Sequence, residues 1–386
     1  MSMGRSALYM TGLFLIAFCF GAGCGTAQVS FPDFESIASV NVESTFFGAK
    51  AAVDRPLAGD QPAYDYSAHL IRDGEVLRLF SGGRWLRRGP GGGDGDHTLQ
   101  HISTTGAPGT WKMPHDRPEF WQGGEEGKSD TWFANNYLEP EVIKVGDTYY
   151  MFTQVEVDPG QPIDIPGQRA ETQCDRIQLH TSTDALNWQR WSEERGVIVG
   201  LDDPTRTNLH HQEVIYVPWD ADGKPWWMYV AANVAGQWLG YCRMRSADPT
   251  TFDWQQRERG VWFAQLGNQT GYLRQAPGGP LFLRITFTGT DDGRTVPTFQ
   301  FSRDGMKWMW GDGGPVKLAG SDDPDYPNCY FLGIETIRGT GELEYLGNNK
   351  WRAFYVATTC KTPVAPEIFH SEIGLGEVTI EITPKP

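Results

Sequence analysis

The chain has 386 residues, with 33 Lys and Arg against 48 Asp and Glu, and its formal charge of −15 is scattered, not gathered into a tail. That balance argues against nucleic acid as a partner, because phosphate binding needs stripes of Lys and Arg. Fifteen tryptophans, 46 glycines and 25 prolines, with no helical periodicity beyond the N-terminus, exclude a helical bundle and favour aromatic strands cut by turns.

The first element is a leader. Arg5 followed by "ALYMTGLFLIAFCF" reads as a basic n-region and an apolar stretch too short to span a membrane. "GAGC" then resembles a bacterial lipobox with Cys24 as the lipidated residue, and cleavage after Gly25-Thr26-Ala27 is the alternative. Residues 1–23 are therefore expected to direct export to the cell envelope, periplasm or exterior. The only membrane contact would be a lipid anchor on Cys24. Residues 24–60 read as a linker holding a candidate ring-closing strand, and residues 61–386 as the folded body, expected to be a monomer.

Five copies of one hairpin follow. They are "SAHLIRDGEVLRLF" (Ser67 to Phe80), "EPEVIKVGDTYYMF" (Glu139 to Phe152), "HQEVIYVPWDADGKPWWMYV" (His211 to Val230), "YLRQAPGGPLFLRIT" (Tyr272 to Thr286) and the longer-looped "GIETIRGTGELEYLGNNKWRAFYV" (Gly333 to Val356). Each joins β-branched and aromatic runs across a glycine-bearing turn. Aligning Ile71, Ile143, Ile215, Gln275 and Ile337 gives steps of 72, 72, 60 and 62 residues. The first four copies are followed by a Ser-to-Trp segment: "STTGAPGTW", "STDALNW", "SADPTTFDW" and "SRDGMKW". These suit the loop between a third and a fourth strand. The predicted fold is an all-β, five-bladed β-propeller with about four antiparallel strands per blade. Either residues 29–50 or the strand Gly376 to Ile382 closes the ring.

Besides Cys24, four cysteines remain after the leader: Cys174, Cys242, Cys329 and Cys360. Cys329 and Cys360 fall in the last repeat and are the preferred disulfide, with four buried thiols as the alternative. No Cys or His spacing suggests zinc, and no cofactor is expected.

Two residues before each reference position stand His69, Glu141, Glu213, Leu273 and Glu335. Four residues before stand Ser67, Glu139, His211, Gly271 and Gly333, and Asp65 is six before in the first repeat. Strict strand alternation would put positions two and four back on one face, at the mouth of the central channel. A recurring Glu could simply tie neighbouring blades together. Several carboxylates in one funnel repel one another, however, and crowding of that kind separates an acid from a base. Glycoside hydrolysis uses such a pair. Trp85, Trp121, Trp132, Trp238 and Trp262 lie in or beside predicted loops, where a ring could stack on sugar, although core packing accounts for most tryptophans.

From Ala63 to the C-terminus the chain resembles the five-bladed propeller superfamily of glycoside hydrolases: arabinanases, β-xylosidases, invertases and their relatives. "EPEVIKVGDTYYMF", "EVIYVPWDADGKPWWMYV" and the Ser-x-Asp-Gly-x-x-Trp segments carry that resemblance. It implies an oligo- or polysaccharide substrate, a catalytic Asp in the first blade, another in the third and a Glu acid in the fourth. Asp65 is the first-blade counterpart, His211 and Glu213 replace the third-blade Asp, and the fourth offers Arg274 without a carboxylate. The catalytic set is therefore taken as Asp65 (base or nucleophile), Glu335 or Glu213 (acid) and Glu141 (tuning neighbour). His69, Glu139, His211, Arg274 and Trp132 are taken as substrate-binding. A non-catalytic carbohydrate-binding propeller is the alternative. A phosphorylase relative would use Arg274, His69 and His211 for phosphate. The resemblance also allows a structural calcium in the channel near the histidines. Sialidases share segments like "SRDGMKW" but use six blades and an arginine cluster, against five repeats and no Arg triad here.

Overall fold

The computed structural model describes residues 27–29, 36–46, 65–86, 94–106, 109–115, 136–157, 159–160, 163, 167–191, 198–201, 203–261, 270–273, 278–279, 281–289, 295–310, 316, 318–319, 344–358 and 373–386. Cys24, Trp121, Trp132, Trp262, Arg274, Cys329, Glu335 and Cys360 lie outside the described residues, as do the side chains of Asp65 and Trp85.

The described chain is all-β apart from one short 3-10 turn, Trp254–Gln256. In order the strands are β1 (Ala27–Val29), β2 (Ile37–Phe46), β3 (Asp65–Asp73), β4 (Val76–Leu86), β5 (Asp94–Ser103), β6 (Asn136–Val145), β7 (Thr148–Val157), β8 (Cys174–Ser182), β9 (Gln189–Arg190), β10 (Val199–Gly200), β11 (Thr207–Tyr216), β12 (Trp226–Val234), β13 (Gln237–Ser246), β14 (Phe252–Asp253), β15 (Glu258–Arg259), β16 (Thr270–Leu273), β17 (Leu281–Gly289), β18 (Thr295–Ser302), β19 (Glu344–Gly347), β20 (Lys350–Thr358) and β21 (Ile373–Pro384). Four sheets of three or more strands result: β3 through β9 in sequence order, β11-β12-β13-β15, β16-β17-β18, and β1-β2-β21-β20-β19. Their arrangement is a β-propeller. Among the described residues four blades are delineated where five repeats were expected. The first two repeats share one seven-stranded sheet, joined by a single parallel pairing, Asp96↔Asn136.

Ring closure uses both candidate segments together. β2 pairs antiparallel with β21 (Val40↔Ile382, Val42↔Ile380), and β21 pairs with β20. Val40, Val42, Val378, Ile380 and Ile382 alternate inward and pack with Trp351, Leu281, Leu283, Phe299 and Phe301. One cluster thus ties both ends of the described chain to the sheet of the fourth repeat.

Two alignments need correction. The tight turn of the fifth repeat is Asn348-Asn349, both with positive φ (52° and 57°), as a two-residue hairpin requires. In the fourth repeat the register Tyr272↔Phe282↔Ser302 matches Tyr216↔Trp226↔Ser246 and Lys144↔Tyr149↔Ser182. Tyr272 therefore corresponds to Tyr216, and the alignment moves by four residues because the β16–β17 connection is longer than a tight turn. Gln269 and Gly267, not Leu273 and Gly271, are the counterparts of Glu213 and His211, and both lie outside the described residues.

The Ser-to-Trp segments do link the third strand to a short fourth pairing. In the fourth repeat, Asp304 Oδ1 accepts from the Met306 and Lys307 amides at 2.7 and 3.0 Å, and Gly305 N–H donates to Ser302 Oγ at 2.8 Å. Trp308 is fully buried, and its indole donates to Gly305 O at 3.1 Å. In the second repeat, Asp184 Oδ1 accepts from Leu186 and Asn187 in the same way, at 2.8 and 2.7 Å. The turn also locks blade to blade, because Arg243 of β13 donates to Asp304 O at 2.6 Å. At the same end of the sheets Lys144 reaches Asp73 between the first and second repeats at 2.8 Å. Burial raises the Asp73 pKa, but hydrogen bonds from Lys144, Tyr149 and Arg78 outweigh it and hold the carboxyl at about 2.

Gly305 (φ 69°) shows why that segment needs glycine. A Cβ there would lie 2.5 Å from Tyr229 Oη and 2.7 Å from the Trp227 ring, whereas one on Gly146 (φ 61°) would meet open space. Gly146→Ala should cost about 1–2 kcal/mol, the left-handed penalty alone. Gly305→Ala should lower the unfolding midpoint clearly further, since it also breaks the contact between the third and fourth repeats. Equal losses in a denaturant titration would show that the close approach carries no weight.

Candidate functional site

β3 abuts β6, β6 abuts β11 and β11 abuts β16, so the first strands of successive repeats line the central axis. Three of them carry the same defect. Pairing shifts register between Tyr66 and His69, between Leu138 and Glu141, and between His210 and Glu213. In each case two residues, 67–68, 139–140 or 211–212, oppose one, which is a β-bulge. Pro140 sits inside the bulge, where the ladder does not need its missing N–H. The bulge breaks strict alternation, so the expectation that residues two and four before each reference share one face does not hold.

Glu139 and His211 occupy equivalent positions in consecutive bulges, and both have left-handed backbones, φ 52° and 54°. A non-glycine residue held there costs on the order of 1–3 kcal/mol and persists only where its surroundings enforce it. Those surroundings are visible. The His211 amide donates to Gln154 Oε1 at 3.0 Å, Gln154 Nε2 donates to Asp175 Oδ2 at 3.0 Å, and the Asp175 amide donates to Asn208 Oδ1 at 3.1 Å. The Gln212 amide group donates back to the Glu139 carbonyl and, at 3.3 Å, to that of Phe152.

The side chains then meet across the boundary of the second and third repeats, with His211 Nδ1 donating to Glu139 Oε1 at 3.0 Å. This contact puts a ring proton on Nδ1, so Nε2 is the nitrogen that Glu139 does not engage. Glu139 is only 3% exposed, and the His211 side chain 13%. Among the described residues Glu139 Oε2 meets no hydrogen-bond donor. His210 packs beside His211, ring centroids 4.5 Å apart. Burial, helped by the His211 ring, lowers the His210 pKa to about 3 and keeps it neutral near pH 7.

The layer two residues further along is different. Glu141 and His69 are fully buried with His69 Nδ1 3.9 Å from Glu141 Oε1, and His69 Nε2 donates to Val142 O at 2.9 Å. Glu213 is fully buried against Arg284 of β17, which brings Nε to 3.3 Å of Oε2 and also hydrogen-bonds Oε1 through Nη2. Of the predicted residues the structure thus brings Glu139 to His211 and His69 to Glu141, and couples Glu213 to a residue outside the predicted set. Arg284 stands out once the register is known. Its equivalents by register are Leu79, Met151 and Met228, so a charge interrupts a column of buried apolar side chains.

His69 Nε2 and His211 Nδ1 are engaged by protein oxygens. Among the described residues no three His, Cys, Asp or Glu side chains converge as a metal site. Cys174 and Cys242 are buried free thiols. No described helix is long and apolar enough to cross a membrane.

Neither protein-family models nor curated proteins match this sequence. Solved structures do. A family 117 glycoside hydrolase, Zg3597, from Zobellia galactanivorans superposes with a TM-score of 0.53 at 14% identity, covering 87% of this chain and 90% of that one. β-1,2-Mannobiose phosphorylase from Listeria innocua, in complex with β-1,2-mannobiose, gives 0.52 at 10% identity, over 83% and 92%. BT0996, in an RGII complex, gives 0.52 at 14% identity, over 90% and 92%. At such identities the likeness establishes the propeller fold.

Burial and pairing make Glu213 and Arg284 a mutual dependence. Glu213→Gln should destabilise by about 3–5 kcal/mol, because it strands a buried guanidinium. Glu213→Leu combined with Arg284→Met, matching the methionine of neighbouring repeats, should regain most of that loss. Chemical denaturation of the single and double variants measures both. A Glu213→Gln protein as stable as wild type would show that the pair does not tie the blades.

Proposed function

We propose that this chain is a five-bladed propeller acting on carbohydrate as a glycoside hydrolase, with Glu139 and His211 as its proton-handling pair. The observation that carries the reading is the paired left-handed bulges, which bring a buried carboxylate and a part-exposed imidazole into contact at the channel-lining strands. Strained backbone held by a dedicated hydrogen-bond chain is typical of working sites. Five blades are favoured over four because the seven-stranded sheet consists of two hairpin repeats meeting at one pairing. The names of two similar structures, a glycoside hydrolase and a mannobiose phosphorylase, support a sugar substrate.

In this reading Glu139 holds the His211 ring in one tautomer, and Nε2 exchanges a proton with the glycosidic oxygen or the attacking water. Asp65, at the start of β3, is assigned as the carboxylate opposite; Glu335 is kept only as the acid the family resemblance calls for, because the Asn348-Asn349 turn takes it out of register with Glu141 and Glu213. Glu141 and Glu213 become struts because neither has exposed surface. That same burial favours the second reading, a carbohydrate-binding propeller without turnover.

Hydrolysis of aryl glycosides and of plant and algal polysaccharides by the mature protein separates the two. Glu139→Gln and His211→Asn should each lower turnover about 10²-fold or more, the usual weight of a positioned acid–base group, while the melting temperature holds. Absence of turnover by wild type on every substrate, with sugar binding retained, would establish the second reading.

Export and a lipid anchor at Cys24 belong to the same proposal, resting on the leader sequence "GAGC". Labelled palmitate should enter the wild-type protein in a bacterial host and be lost in Cys24→Ala. Equal labelling of both would remove the anchor.

A further inference from the structure

Among the described residues Trp238 is one of four large hydrophobic side chains with substantial exposure, at 48%. Local structure places it. Ala235 (φ 48°) and Gly236 (φ 81°) form the two-residue turn between β12 and β13. A register shift follows, with Asn233 opposite Trp238 and Ala232 opposite Gly240 (φ 79°), so Leu239 is an extra residue. Bulges of this kind re-aim side chains. The indole ends 5.6 Å from the His210 ring, edge-on to Tyr241 at 6.4 Å, and His210 in turn lies 4.5 Å from His211. A row of rings therefore runs from an exposed tryptophan to the Glu139–His211 pair, where the His211 side chain is 13% exposed.

We infer that Trp238 is the platform of a second sugar subsite, so that the ligand is a disaccharide or longer chain with one ring at Glu139–His211 and the next stacked on the indole. This rests on the carbohydrate reading above and deepens it. The apolar face of a pyranose covers an aromatic face well, and burying that area is favourable. His210, one ring nearer the pair, adds no charge, so the shelf selects by shape and apolar contact. The His211 ring, 13% exposed where Glu139 is buried, is the polar group the inner sugar meets. The subsite favours neutral sugars over anionic ones, because the carboxylate at its inner end repels a second negative charge.

The test is titration calorimetry on the full mature chain carrying Glu139→Gln, which blocks turnover. Xylobiose, cellobiose and β-1,2-mannobiose are each compared with the methyl glycoside of the same sugar. The expected result is at least one disaccharide binding more tightly than its methyl glycoside. That advantage should fall about tenfold in Trp238→Ala, in line with the loss of one aromatic stacking contact, and be partly restored in Trp238→Phe. Trp191→Ala, at the comparably exposed but distant Trp191, should behave as its parent. An unchanged advantage in Trp238→Ala overturns the platform while the carbohydrate reading stands. Failure of every disaccharide and glycoside to bind overturns both.

Discussion

The cross-blade contacts depend on one constraint: inner strands packed between neighbouring blades must find partners for polar groups in the next blade. The repeated bulge is how three consecutive strands meet it. One extra residue turns the chain so that consecutive polar side chains serve different neighbours. Glu139 faces His211 of the following repeat, and Glu141 faces His69 of the preceding one. Without the bulge, residues two apart would point the same way and compete for the same partner.

These contacts also set the energetics of the ring. Buried charges are tolerated when paired and hydrogen-bonded, and are costly when a partner is removed. Glu213–Arg284 ties the third repeat to the fourth, the Glu141–His69 contact joins the first to the second, and Asp73–Lys144 repeats that link at the exposed turn. Hydrophobic clusters span the same boundaries. Phe80 packs with Val142 and Met151, Phe152 with Leu209 and Met228, and Tyr229 with Phe282 and Trp308. Apolar burial supplies the bulk of the cohesion, and the polar contacts fix how each blade is rotated against the next.

What the sequence disclosed follows from the range of each signal. Gly146-Asp147 between apolar runs was readable as a hairpin because turn chemistry is local, and Ser302 to Trp308 was readable as a capped turn for the same reason. The pairing of β2 with β21 was not, since nothing in either strand names a partner more than 300 residues away. The bulges escaped because periodicity arguments assume them absent. Pro140 after Glu139 was the local hint, a residue that does not suit a ladder. The fourth repeat was misaligned by four residues because its long β16–β17 connection mimics a tight turn at Gly278-Gly279. Arg284 was visible only by comparing repeats in the register that the structure supplies.

Recurrence of a residue type around the ring is therefore a poor guide to chemistry. His69, Glu141 and Glu213 are equivalent by register, and each is fully buried and engaged with a neighbouring blade. Glu139 and His211 occupy the neighbouring equivalent position two residues earlier, where exposure begins on the His211 ring and where backbone strain is concentrated. A carboxylate that no solvent or ligand can approach stabilises the ring whatever its sequence context. One held against an imidazole whose ring is part exposed reaches solvent through that ring. Depth along the inner strand, more than residue identity, separates the struts from the candidate site.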